Sequence, residues 1–150
     1  STTVNVTAAS SGITLKQLAA AAAWVRNYHA RHRTLPSGVR VGAVNYSMAQ
    51  FLDLLVRGTV QISSGNLNPL KPRAVGYGGS TGIHSNGRLY RSAYVNLAVT
   101  IRNFINTSGR APRYALTGYG RVSFVKLVYC YSNIIGFYGS NGRLPRYVLI

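Results

Sequence analysis

Apolar residues recur every three to four positions in four stretches of the chain. In the first, Leu15, Leu18, Ala22, Val25 and Tyr28 fall on one helical face. In the last, Phe124, Leu127, Tyr131 and Ile134 do the same, continued by Phe137 or Tyr138. Between them "SMAQFLDLLVRGTVQI" and "RSAYVNLAVTIRNFI" carry the same helical period. Thr14, Ser47 and Ser123 stand where helix N-caps belong, and Ser92 lies near the start of the third stretch. Gly58, inside the second, weakens that helix by about 1 kcal/mol relative to alanine. The polar loops "SSGN", "NTSG" and "GSNG" stop the helices.

After each stop comes a proline and a short extended run: "LPSGVRV", "KPRAVGY", "APRYALT" and "LPRYVLI". "YVLI" reads as a strand, and Val39–Val41 and Ala43–Tyr46, split by Gly42, as a short extended pair. From Leu15 to Pro36, Phe51 to Pro72, Tyr94 to Pro112 and Phe124 to Pro145 the spacings are 21, 21, 18 and 21 residues. That is a repeat with one three-residue deletion. The unit is helix, polar turn, proline, strand. A single unit cannot bury both sides of its helix, so the units pack on each other. The expected architecture is mainly α with short β-strands, the repeated units packed as two helix pairs, 1 with 2 and 3 with 4. Residues 1–11, with the alternating "TVNVT", form an extended segment. Residues 12–75 form the first repeat pair, 76–87 a Gly/Ser-rich linker and 88–150 the second pair.

Charge changes this picture most. The chain of 150 residues carries 17 Lys+Arg against one acid, Asp53, for a formal net charge of +16. Only Lys16, Lys71 and Lys126 are lysines. One carboxylate cannot neutralise so many cations, so self-repulsion calls for an anionic partner. Arginine presents a planar fork for carboxylate or phosphate, and the eleven tyrosines add flat faces that suit sugars or bases. Cys130 is the only cysteine, so the chain forms no internal disulfide; its apolar surroundings mark it as a core residue. The longest apolar run, "LAAAAAWV", is far too short for a membrane span. Three Asn-x-Ser/Thr sequons, at Asn5, Asn45 and Asn106, lean towards secretion.

Residues 12–75 carry "LPSGV" followed by "YSMAQFLDLL", and residues 88–150 carry "GRAPRYAL", "LVYCYSNI" and "GRLPRYVL". In these cues the chain resembles the pseudomurein-binding repeats of archaea and their viruses. The resemblance implies a non-catalytic, extracellular module that attaches proteins to an archaeal cell wall. Such repeats occur on surface proteins and on pseudomurein endoisopeptidases. The implied partner is pseudomurein, a polymer with a uronic acid in its glycan and acidic groups in its peptide. One departure bears on specificity: members usually have Asn or a similar polar residue after the turn proline, whereas this chain has Ser37, Arg73, Arg113 and Arg146.

On this reading the polymer contacts are Arg110, Arg113, Tyr114, Arg143, Arg146 and Tyr147, with Arg33 and Arg73 as their equivalents in the first pair. The arginines pair with carboxylates, and the tyrosines lie against sugar rings or pack under the helices. No catalytic set is expected. A nucleophile needs a base within reach and an orienting group, and paired-carboxylate chemistry needs a second acid. His29 and His32, spaced i, i+3, lack a third ligand amid "RNYHARHR", so neither a metal nor another cofactor is expected. Two other readings remain. One is a basic nucleic-acid-binding protein, with tyrosines stacking on bases. The other is a self-assembling surface or filament subunit joined through its strand-like ends.

Overall fold

The computed structural model describes residues 12–82 and 86–150. "TVNVT" and His84 lie outside the described residues. Among the described residues there are four helices and three two-stranded antiparallel ribbons. In chain order they are α1 (Leu15–His32), β1 (Val39–Val41), β2 (Val44–Tyr46), α2 (Met48–Ser63), β3 (Arg88–Tyr90), α3 (Arg91–Ser108), β4 (Tyr114–Thr117), β5 (Gly120–Ser123), α4 (Phe124–Asn141) and β6 (Tyr147–Leu149). The protein is mainly helical with short strands. Among the described residues no helix is long and apolar enough to cross a membrane.

Local chemistry sets the helix ends. Thr14 and Gln17 form a reciprocal capping box at α1, and Ser47 and Gln50 repeat it at α2. Ser123 caps α4 by accepting from the Lys126 N–H. α3 starts after Tyr90, which makes no side-chain cap. There the Arg91 N–H donates to the Arg146 carbonyl (2.9 Å), so a neighbouring segment replaces the missing cap. α1, α3 and α4 each close on a left-handed residue: Arg33 (φ 60°), Gly109 (φ 72°) and Gly142 (φ 72°).

The first and second halves of the chain share one plan. Ile13 and Leu89, Thr14 and Tyr90, Arg33 and Gly109, Val39 and Ala115, and Ser47 and Ser123 are each 76 positions apart, and each pair holds the same structural place. Each half runs helix, hairpin, helix. Each then closes on itself: Ile13 bridges Leu70, and β3 pairs with β6, setting Leu89 opposite Val148. α1, α3 and α4 all begin 21 residues before Pro36, Pro112 and Pro145, so the third unit has no deletion. Tyr94 lies one turn inside its helix, which made the unit look short. Unit 2 is the irregular one. α2 is 16 residues long where the other helices have 18.

Helix packing crosses the halves. α1 lies against α4, and α2 lies against α3 and α4, while α1 and α2 touch little. Two helix pairs form as expected, but as α1 with α4 and α2 with α3; the hairpins β1–β2 and β4–β5 join units 1 to 2 and 3 to 4. One continuous core results, with Leu18, Val25, Phe51, Leu55, Ile101, Leu127 and Ile135 at its centre. Gly58 lets the helices meet: a Cβ there would stand 3.0 Å from Leu18 and 3.4 Å from Leu70. Its helix-propensity penalty is the condition of that close approach. The buried Tyr94 hydroxyl donates to the Pro145 carbonyl, and the Tyr131 hydroxyl to the Tyr94 carbonyl. Burial pushes both phenols up, Tyr94 to about 12.

The Gly/Ser-rich connection lies along the second half. Gly76 bridges Arg110, Tyr77 meets Phe124 edge-on at 5.3 Å, and Ser80 accepts from the Val125 N–H. "YVLI" is paired inside the chain with β3, so the edge proposed for assembly on that side of the strand is occupied.

Candidate functional site

In units 1, 3 and 4 the turn after the helix buries its proline, and the next strand runs back beside the helix. In unit 4 this leaves an open groove of about 390 Å³ between α4 and β6. Arg26, Lys126, Tyr129, Asn133, Phe137 and Tyr147 line it. Arg26 comes from α1 and reaches the groove because α1 packs on α4. The Arg143 guanidinium lies over the Phe137 ring at 5.2 Å, and the Lys126 ammonium over Tyr129 at 5.3 Å. The His29 ring stacks against Tyr129 at 4.4 Å. Burial, then Lys126 and Arg33, lower the His29 pKa from its ordinary value.

Unit 3 repeats the groove, again about 390 Å³, between α3 and β4. Thr100, Phe104, Arg110, Arg113, Tyr114 and Leu116 line it. Unit 1 has it too, with Trp24 on the helix and Ser37, Arg40 and Asn45 on the hairpin. Tyr28, Phe104 and Phe137 each stand five residues before the left-handed helix end, so an aromatic recurs at one place in three units.

The ribbons carry a second repeated feature. The cross-strand register sets Leu116 opposite Arg121 and Leu149 opposite Arg88. Each arginine therefore lies diagonal to the tyrosine two residues before that leucine, on the same face. Arg121 covers the Tyr114 ring at 4.5 Å, and Arg88 covers the Tyr147 ring at 4.3 Å. Tyr90 adds to the second stack, 5.8 Å from Tyr147. The exposed face of the β3–β6 ribbon is thus Arg88, Tyr90, Tyr147 and Leu149.

Of the residues expected from sequence, Arg113, Tyr114 and Arg110 meet at the unit 3 groove. Tyr147 lines the unit 4 groove, with Arg143 over its Phe137; Arg146 is exposed beside them. Tyr114 is half-buried and Tyr147 exposed, and both rings carry a cation on one face. Two residues depart from the expectation. Arg33 is exposed, but it holds the place of Gly109 and Gly142, not of Arg110 and Arg143.

Arg73 is the larger correction. Its Nε and Nη2 donate to Asp53 at 3.1 and 2.8 Å. Arg57 donates to the same carboxylate at 3.0 and 2.7 Å and to the Lys71 carbonyl at 2.8 Å. The Asp53 side chain is 1% exposed. Arg73 is therefore a structural counter-ion. It is also not the counterpart of Arg113 and Arg146. Leu70 bridges Ile13 as Val148 pairs with Leu89, so the unit 2 turn reads Leu67-Asn68-Pro69 where unit 4 has Pro145-Arg146-Tyr147. Unit 2 has neither the arginine nor the tyrosine.

Sequence reasoning missed Arg26, Arg88, Arg121, Lys126 and Tyr129. Arg88 and Arg121 were findable, because they are 33 residues apart, as Tyr114 and Tyr147 are, and each faces the leucine of the partner strand. Arg26 was not, since only the α1–α4 packing delivers it. Cys130 is buried, and its thiol is pushed up to about 12 by that burial, with its Sγ donating to the Leu149 carbonyl. Neither a scan against models of known protein families nor a search of curated proteins found a match to this chain.

Proposed function

We propose that the protein is a non-catalytic module that binds an acidic cell-wall polymer, with pseudomurein as the partner, and anchors proteins at the archaeal cell surface. The observation that carries this reading is the recurrence of one cation-and-aromatic groove in three units of a chain at +16. A repeated site suits a repeated ligand. Several weak contacts on one polymer combine through effective concentration. Arginine forks pair with carboxylates, and the tyrosine and phenylalanine faces lie against sugar rings. Two reactive groups of the described residues are engaged within the fold. The thiol of Cys130 is held protonated in the core, and Asp53 is closed off by two arginines.

Retention on isolated pseudomurein sacculi, with bacterial murein and duplex DNA as rival baits, tests this reading. The expected result is retention on pseudomurein at physiological salt, unaffected by DNA. Preferential capture by DNA overturns it and makes the +16 surface a nucleic-acid surface. Comparing salt slopes is not enough, because every polyanion releases counter-ions on binding.

A further inference from the structure

We infer that the α4 groove is a binding site for a carboxylate-bearing sugar ring, an inference that rests on the polymer-binding reading. Three observations combine. The first is composition: Arg26 and Lys126 line the groove together with the rings of Tyr129, Phe137 and Tyr147 and the Asn133 amide. The cations suit a carboxylate, the rings suit the apolar face of a pyranose, and the amide suits its hydroxyls. Its volume of about 390 Å³ is that of a small-molecule site.

The second observation is what the first half has in the same place. Asp53 is 76 positions before Tyr129, and Arg57 is 76 before Asn133. There the chain supplies its own carboxylate, and two arginines close on it with four N–H···O contacts. In α4 the carboxylate position is an aromatic. Cations stand around it, and the chain has no second acid to answer them. Unit 2 is occupied from within, whereas unit 4 is built to be occupied from outside.

The third is the contrast with unit 3. Set by their matching helix ends, Ala93, Asn96 and Thr100 replace Lys126, Tyr129 and Asn133, and Ile101, Ala115 and Leu116 line that groove. Arg110 and Arg113 give unit 3 two cations as well, so what sets unit 4 apart is the helix-borne set of Lys126, Tyr129 and Asn133. A free phosphate fits less well. Compact oxyanions are held by converging backbone N–H groups at helix starts, whereas Tyr129, Asn133 and Phe137 lie along the middle and end of α4.

Calorimetry with short oligogalacturonides, and with the same oligomers after carboxyl reduction, tests this directly. The site double variant is Arg26→Gln with Lys126→Gln. The control, Arg31→Gln with Arg102→Gln, removes the same charge outside the grooves. Lys126→Gln alone serves if the site double variant loses its helical circular dichroism. The acid oligomer is expected to bind the native protein at least tenfold more tightly than the reduced one. The site variant should lose about tenfold and the control less than twofold. Equal binding of the reduced oligomer, equal losses in the two double variants, or displacement by millimolar inorganic phosphate overturns the inference. Retention of the native protein on sacculi is measured alongside. Retention without oligouronate binding removes this site and leaves the wall-binding reading. Oligouronate binding without retention does the reverse.

Discussion

Asp53 and Tyr129 hold the same position in the two halves, on helices that pack against each other. Around Asp53 the ground is closed: Arg57 is 19% and Arg73 37% exposed at the side chain, and the carboxylate is buried. Around Tyr129 it is an open groove. The backbone plan is shared, so the difference lies in side chains and in the path after the helix. α2 ends early and its exit carries Arg73 back over the helix. α4 ends on Gly142, and its exit pairs with β3 and leaves the helix face uncovered. One repeat geometry thus forms a closed lock in one half and an open groove in the other.

The sharpest way to break that comparison is Asp53→Ala. It leaves two guanidiniums facing each other without their anion, and about 3 kcal/mol of stability should be lost. Tyr129→Ala, at the matching position, should cost about 1 kcal/mol and act instead on polymer retention. Urea unfolding of both variants measures this, and equal losses would end the distinction between lock and site. Arg73→Ala and Arg146→Ala form the next pair. The first should destabilise by about 2 kcal/mol and leave retention alone. The second should fall within about 0.5 kcal/mol of the parent and weaken retention.

Smaller still is Arg33→Gly. Arg33 is the one non-glycine residue among those described with a left-handed backbone, where the other half has Gly109. Glycine there should raise stability by up to about 1 kcal/mol, seen as a melting rise of a few degrees. The smallest effect concerns pH. The His29 pKa is lowered in the folded state, first by burial and then by Lys126 and Arg33. Its contribution is therefore present above the unfolded value near 6.5 and is lost as pH falls through the folded value. Replacing it with Gln should flatten the fall in melting temperature between about pH 7 and 5.

Much of the fold was legible because it rests on local rules. The 3.6-residue period located all four helices, Thr14, Ser47 and Ser123 are N-caps, and Gly42 sits at the turn between β1 and β2. The third helix starts where "RSAY" placed it, but its cap is Tyr90 backed by the Arg146 carbonyl, which no local rule reveals. The pairing of α1 with α4 was hidden for another reason. Sequence order favours neighbours, whereas close approach at Gly139, where a Cβ would stand 2.6 Å from Ala19, and at Gly136, where it would stand 3.6 Å from Ala23, brings α4 against α1. The site was half legible. Tyr114 and Tyr147 were visible in the Pro-Arg-Tyr frame. Arg73 misled, because its frame looks the same and only the contact with Asp53, twenty residues away, gives it a different task.

The crossed packing also has a mechanical consequence. On the wall-anchoring proposal the molecule bears tension, and load entering at one half and leaving at the other passes through the α1–α4 and α2–α3 contacts. Neither half can peel away while the other stays intact, because each supplies a wall of the other's core. Stretched between residues 12 and 150, the molecule should therefore rupture once and give way over its full length.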